Sequence, residues 1–364
     1  MIEVRPNIKF KKQLKDISKS SLNECMQCGT CSVVCSLSPD DKPFPRKEMI
    51  WAGWGMKDKL IGNPDIWLCH QCGDCSTFCP RGVKPADVFT AVREISYSHY
   101  AKPKFMGKLL SSPKDLLFAI IIPIVVIFAI LYFAGTDKIP EGTVNYSKFF
   151  PHAWLNSSFT LLWMLSTTFG ILELTKFWQD LKNQNTNLKP QDSFLKNLFS
   201  IREEIFFHSN FSKCSNKKSR IVAQLLVLYG FILLLAVTAF AIYAAITHNY
   251  PLELNHPVKI AGNVAGIMLF LGLGIMIFNR LFDKENAGNS SYSDRMFLIS
   301  LFLLTLSGVF VEIARYLNWS LAYHIYFFHL VCVWFIIIYL PYTKFGHLLY
   351  RLVAMVFIAS IDRK

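Results

Sequence analysis

CMQCGTCSVVC, residues 25–35, places four cysteines in eleven positions, and CHQCGDCSTFC, residues 69–79, repeats the arrangement. Both copies read C-x2-C-x2-C-x3-C, and Pro80 follows the second. This is the spacing of bacterial two-cluster ferredoxins, in which a tight loop turns three thiolates toward one [4Fe–4S] cubane and the fourth cysteine serves the other cluster. The expected ligand sets are therefore crossed: Cys25, Cys28, Cys31 and Cys79 for one centre, Cys69, Cys72, Cys75 and Cys35 for the other. Gly29 and Gly73 follow the second cysteine of each run, where a compact turn must bring backbone close to sulfide.

Structural zinc is the competing use of such thiols, but zinc sites favour separated C-x2-C pairs and need four ligands per ion. Three cysteines at successive x2 spacings suit a cubane better. Of the ten cysteines, Cys214 and Cys332 stand alone and read as small inert residues. The opening stretch MIEVRPNIKFKKQLKDISKS is charged and has no apolar core before the cysteines, so it does not read as a signal peptide. The cysteine domain is expected in the reducing cytoplasm, which favours metal sites over disulfides.

Around the cysteines the pattern is helical. RKEMIWAGWGMKDKL, residues 46–60, predicts a helix with Met49, Ile50, Trp54 and Leu60 as core, and PADVFTAVREISYSHY, residues 85–100, predicts a closing helix. An all-α ferredoxin domain is expected over residues 1–110. Two clusters in tandem make a short electron wire, and His70, inside the second run, is expected to flank or tune a cluster.

The remainder is apolar. The whole chain is 52% hydrophobic with a mean hydropathy of +0.33, and long apolar runs dominate from residue 116 onward. Six segments, near 116–134, 153–175, 221–246, 259–279, 296–314 and 321–340, approach the ~20 residues that a membrane-spanning helix requires. The net charge of +13 over 364 residues is carried by lysines and arginines that flank alternate connections, which follows the positive-inside rule rather than a nucleic-acid surface. A six-span transmembrane domain over 111–345 and an interfacial tail over 346–364 are expected. Both termini would lie in the cytoplasm, with the chain multi-pass in the inner membrane. Gly262, Gly266, Gly272 and Gly274 in the fourth span suggest close helix approach.

Ionisable groups near the lipid draw attention. Glu312 and Arg315, and Glu173 and Lys176, are spaced as local ion pairs, with a haem propionate or quinone contact as the sharper use. His329 and His347 are eighteen residues apart, about five helical turns, so an unbroken helix would present both on one face at two depths. That geometry suits two b-type haems. His152, at the outer start of span two, and His208, on the inner side, are candidate partners.

The motifs CMQCGTCSVVC, NPDIWLCHQCGDCSTFCPRGVKPADV and YFFHLVCVWFIIIYLPYTKFGHLLYR resemble the C-type component of the quinone-interacting membrane-bound oxidoreductase complex, a fusion of parts similar to the C and E components of heterodisulfide reductase. The membrane half is similar to the haem b subunit of respiratory nitrate reductase. The resemblance covers nearly the whole chain. It implies two [4Fe–4S] clusters, one or two haems b, a menaquinone substrate and two flavin-bearing partners, the A and B components of the complex. It further implies electron exchange between menaquinone and adenylylsulfate reductase in sulfur metabolism. Ser36 stands where the family usually has proline after the cysteine run, and Gln224 stands where related proteins tend to carry a ligand histidine.

The leading expectation is a redox subunit carrying electrons between membrane quinone and cytoplasmic flavin or iron–sulfur partners. The membrane arm of a sulfite- or disulfide-linked reductase complex and a redox-sensing membrane anchor are the alternatives. No Ser/His/Asp set or phosphate-binding loop argues for hydrolysis or group transfer, so no catalytic residue is assigned.

Overall fold

The structure, a computed structural model, describes residues 5–136, 138–185, 192–207, 218–247, 255–282 and 291–361. Among these residues the chain is all-helical, with no strand. The cysteine domain contains α1 (Ile8–Ser18), α2 (Thr30–Val33), α3 (Arg46–Trp54), α4 (Lys57–Ile61), α5 (Asp65–Leu68), α6 (Asp74–Thr77), α7 (Pro85–Tyr100) and α8 (Lys104–Leu109). The apolar half follows with α9 (Leu116–Phe133), α10 (Tyr146–Phe149), α11 (His152–Gln184), α12 (Phe194–Ser200), α13 (Arg202–Phe207), α14 (Lys218–Ile246), α15 (Pro257–Phe282), α16 (Tyr292–Tyr316), α17 (Ala322–Tyr339) and α18 (Lys344–Ser360).

Local chemistry sets the boundaries. Asn7 caps α1 by accepting from the Phe10 amide at 2.8 Å, and Pro85 opens α7 at a position whose N–H would have no helical partner. The predicted 46–60 helix is broken at Gly55, which turns to φ +68°. A Cβ there would meet the Asn7 carbonyl oxygen at 2.8 Å, so the residue ending α3 is glycine for both conformation and space. The break leaves Met49 and Leu60 buried as expected but turns Trp54 out, 58% exposed.

Six helical segments among the described residues are long and apolar enough to cross a membrane, which makes the chain a multi-pass membrane protein. The sixth span and the expected tail are separate helices: α17 ends at Tyr339, and Thr343 caps α18 by accepting from the Phe345 amide. Gly346 fits this turn because a Cβ would meet the Pro341 carbonyl oxygen at 2.5 Å. Residues 346–360 lie in α18. Tyr350, Val353, Ala354 and Phe357 on that helix share one core with Leu14, Trp67, Val88, Phe89 and Tyr97 of the cysteine domain and with Phe177 and Leu181 of α11. The cysteine domain thus rests on the ends of α11 and α18 through a continuous apolar interior. At the opposite end, Asn145 N–H donates to Tyr323 Oη at 3.0 Å and Tyr146 Oη donates to the Val311 carbonyl at 2.8 Å, tying the α9–α11 connection to α16 and α17.

The glycine stripe is used selectively. A Cβ at Gly272 would lie 2.9 Å from the Ala223 carbonyl oxygen, so α14 and α15 approach closely there. Gly230 on α14 makes the reciprocal approach to Leu269, whereas Gly266 and Gly274 face open space. The expected i,i+3 ion pairs are replaced by other partners. Glu312 binds Lys259 of α15 at 2.8 Å instead of Arg315. Lys176 binds Asp180 at 2.7 Å, while Glu173 accepts from the Lys102 amide at 3.0 Å and from Tyr350 Oη at 3.2 Å. Partners on neighbouring elements offset the burial of Glu312 and Glu173.

Candidate electron-transfer site

The two cysteine runs fold alike. Gln27 and Gln71 have φ +58° and +54°, and Gly29 and Gly73 have φ +87° and +93°. Each glycine then opens a one-turn helix, α2 or α6. This left-handed pair of turns curls each loop around its cysteines.

The structure brings the eight cysteines together as two groups. Cys25, Cys28, Cys31 and Cys79 line one cavity. Cys35, Cys69, Cys72 and Cys75 line a second cavity. Pro85, the first residue of α7, lines both.

The donor chemistry suits a polynuclear metal group. Burial pushes the Cys31 thiol up to about 11, with Cys25 and Cys28 adding repulsion. Burial likewise pushes Cys35 up to about 12, and Cys69 and Cys75 upward. Exposed Cys28 is shifted downward, chiefly by its hydrogen bond with Thr30. Two sets of four thiols are a donor set that could hold [4Fe–4S] clusters, which would draw off the thiol protons on binding.

The two cavities differ in setting. The first is lined by Met26, Arg46 and Arg81, with Met26 62% exposed, and Val33 and Phe78 of the two cysteine runs are 86% and 61% exposed. The second is turned toward the membrane helices. Arg220 of α14 donates to the Gln71 carbonyl at 3.1 Å. Arg351 of α18 lies 3.0 Å from His70 Nε2 and donates to Glu204 Oε1 at 3.1 Å. Arg93 of α7 donates to the Ile66 and Cys69 carbonyls. His70, expected to flank or tune a cluster, is part of the joint between the second loop, α13 and α18.

The histidines are not stacked on a common helix face. His329 lies on α17 and His347 on α18, because the chain turns at 340–343. The expected five-turn geometry therefore does not hold. His329 sits with Nδ1 3.0 Å from Ser307 Oγ and its ring against Gly308 of α16. A hydrogen bond at Nδ1 is the arrangement that orients a histidine for metal ligation through Nε2. His347 lies 5.7 Å, centroid to centroid, from Trp67 and lines a small chamber with Gln71 of the second cysteine loop. His152 is half-buried at the start of α11, and His329 follows Ala322 by seven residues, roughly 10 Å along α17. His208 lies outside the described residues, as does Cys214. Gln224 is on α14, near its start.

Sequence reasoning did not single out Arg93, Arg220 and Arg351. Their roles depend on which loop their side chains reach, and isolated arginines in a basic chain carry no distinguishing spacing.

The fold and the two cysteine sites define a class: a multi-pass all-α membrane protein with an iron–sulfur domain on one end of its helical bundle. Residues 21–83 match the 4Fe-4S dicluster domain family, which makes iron–sulfur electron transfer the chemistry of this part. Residues 113–364 match the family described as Citrate utilization protein B, and the chain belongs to that family.

Two relatives resemble the cysteine domain. A protein of Archaeoglobus profundus, described as like the C component of heterodisulfide reductase, is 35% identical over 89 residues, 24% of this chain and 47% of that protein. The C component of the H(2):CoB-CoM heterodisulfide,ferredoxin reductase of Methanothermobacter marburgensis is 36% identical over 99 residues, 27% of this chain and 51% of that protein. The chain thus spans about half the length of these relatives. Citrate utilization protein B of Escherichia coli is 23% identical over 360 residues, covering 90% of this chain and 87% of that protein. A first part like the C component of heterodisulfide reductase, joined to a second part like citrate utilization protein B, fits a fusion and a redox-complex subunit.

Proposed function

We propose that the chain carries electrons between a soluble redox partner and a membrane quinone, with the two cysteine cavities holding [4Fe–4S] clusters in the crossed ligand sets. The observation that carries this reading is the position of the second cavity. Its loop is held by Arg220 of the membrane-spanning helix α14 and by Arg351 of α18, while Met26 on the lining of the first cavity is exposed. The clusters supply one-electron transfer when bound. The protein sets their order: the first faces a partner, the second faces the membrane. Met26, Val33 and Phe78 offer the apolar centre of a docking face, and Arg46 and Arg81 favour an acidic rim on the partner.

Haem b belongs to the same reading, with His329, whose Nδ1 is hydrogen-bonded to Ser307, as the residue best placed to hold it and His152, His208 and His347 as candidates for further cofactor contacts. The family resemblance points to menaquinone, to the flavin-bearing A and B components, and to adenylylsulfate reductase beyond them. The near-complete coverage by Citrate utilization protein B of Escherichia coli favours a second choice of partner, a soluble redox protein serving citrate utilization. The charge pattern favours the cytoplasmic membrane, with both termini and the cysteine domain on its inner side.

The test is anaerobic reduction of the purified full chain by a short-tailed menaquinol, followed by electron paramagnetic resonance for reduced clusters and optical spectra for haem b. Cluster reduction by the quinol supports the proposal, and wild-type protein that stays oxidised with quinol but is reduced by dithionite overturns it. Co-purification from the native membrane decides between the flavin-bearing partners and a citrate-utilization protein.

A further inference from the structure

The connection between α11 and α14 carries two short helices whose polarity is inside out. On α12 the buried residue is Asn197, and on α13 it is Glu204. Phe194, Leu195, Phe199, Phe206 and Phe207 are turned outward instead, between 46% and 67% exposed. A helix on a water-facing surface buries its apolar side and shows its polar one. Five large apolar side chains facing outward around two buried polar ones therefore need a cover other than water.

Contacts at both ends of the segment fix the level at which this surface lies. Tyr229 of α14 stands ten residues beyond Ser219, where the third span begins, roughly 15 Å along the helix axis. Its hydroxyl donates to the Phe206 carbonyl at 3.0 Å. Val222 and Tyr229, at i and i+7 on one face of α14, are both exposed, so α13 ends beside a lipid-facing side of that span. At the start of the segment the Phe194 ring centroid lies 6.0 Å from that of Trp178 on α11, and the Lys182 ammonium is 5.5 Å from the same indole. A tryptophan beside a lysine marks the level at which a span leaves the hydrocarbon.

Charge decides the kind of contact. Among the described residues of the segment the exposed charges are Asp192, Lys196, Arg202 and Glu203, which cancel, and Lys196 is paired with Asp192 at 2.8 Å. The surface therefore offers apolar area and little net field. We propose that α12 and α13 lie in the lipid–water interface on the cysteine-domain side of the bundle, with their phenylalanines and Leu195 inserted among the acyl chains. The inference rests on the membrane spans and is independent of the quinone-linked reading.

The inner side of the segment gives this placement a use. Glu204 accepts from Arg351 at 3.1 Å and lies 3.4 Å from His70 Nε2. The helix that rests on lipid thus also holds the second cysteine loop, and the bilayer surface helps to set the height of that loop above the membrane.

The test uses the full chain in phosphatidylcholine nanodiscs, with Phe199 or Phe207 replaced by the photocrosslinker p-benzoylphenylalanine, an aromatic residue of related shape. Leu161, exposed on the α11 span, and Val33, exposed on the cysteine domain, are replaced in the same way as references. After irradiation, mass spectrometry is expected to find phospholipid adducts at residues 199 and 207 as at residue 161, none at residue 33, and no loss of yield in high salt. Residues 199 and 207 that behave like residue 33 overturn the proposal, and a yield that collapses in high salt overturns the apolar contact. The same variants irradiated in native membranes distinguish lipid from a protein cover: cross-links to another polypeptide in place of lipid adducts make the surface a protein interface and overturn the proposal as well.

Discussion

Trp67 of the cysteine domain and Tyr350 of the last helix stack with ring centroids 4.8 Å apart and planes 16° from parallel. Both rings are almost fully buried. Around them Tyr97, Tyr100 and Phe177 complete an aromatic cluster that joins the iron–sulfur domain to α11 and α18. Electron transfer depends steeply on distance, so a rigid aromatic joint has a functional value beyond stability. Trp67→Ala is expected to destabilise the joint by about 3–5 kcal/mol, the usual cost of deleting a large buried aromatic ring. Tyr350→Phe keeps the stack but loses the hydrogen bond to Glu173, at a cost of about 1 kcal/mol. Denaturant unfolding of the detergent-solubilised full chain, followed by tryptophan fluorescence, is the check; equal losses in the two variants would contradict the stacking account.

The crossed ligand sets predict an exchange that sequence proximity would not. Cys79→Ser should perturb the centre that contains Cys25, Cys28 and Cys31, although Cys79 is near Cys75 in the chain. Cys35→Ser should perturb the other. Anaerobic protein is expected to hold roughly eight irons in clusters, two cubanes' worth, and each variant about half when its cluster is lost. Iron, acid-labile sulfide and electron paramagnetic resonance signals of the two variants settle the assignment. Stoichiometric zinc without sulfide would remove it.

Glu48 predicts a pH dependence. Its carboxyl is buried, near Asp65, and burial first and then Asp65 push its pKa up to about 8 from an ordinary 4.5. The folded protein therefore holds a proton that the unfolded chain gives up, and this contribution to stability is lost as the pH rises from 4.5 to 8. Glu48→Gln mimics the protonated form and keeps the hydrogen-bond acceptor for Asn63, whose Nδ2 donates to Glu48 Oε1 at 3.0 Å. The variant is expected to gain stability relative to wild type toward pH 8 and to match it more closely near pH 5. A stability difference that does not change with pH would count against a protonated Glu48.

Gly272 and Gly274 provide a paired test of helix packing. A methyl group at Gly272 meets the Ala223 backbone oxygen at 2.9 Å, whereas Gly274 has nothing within 4 Å. Gly272→Ala is expected to cost about 1–3 kcal/mol by forcing α14 and α15 apart. Gly274→Ala should be neutral or slightly stabilising, because alanine is the better helix former. Thermal unfolding of both variants in one detergent compares them directly, and a cost at Gly274 equal to that at Gly272 would refute the close-approach argument.

The six apolar segments, the helix over residues 85–100 and the repeated cysteine spacing were legible in the sequence. Each is a local pattern: spans are set by length and hydropathy, α7 by periodicity and its opening proline, and the cysteine loops by residue spacing. Positions whose meaning depends on distant partners were not legible. Glu312 reaches Lys259 rather than Arg315, and Trp54 turns outward because Gly55 ends its helix. Only the tertiary structure placed Arg220 and Arg351 on the second cysteine loop. The break before α18 carries that helix under the cysteine domain and separates His347 from the face of His329. Local composition determines which segments are helical and where thiols cluster, but the directions of turns and the packing of helix ends decide which side chains meet.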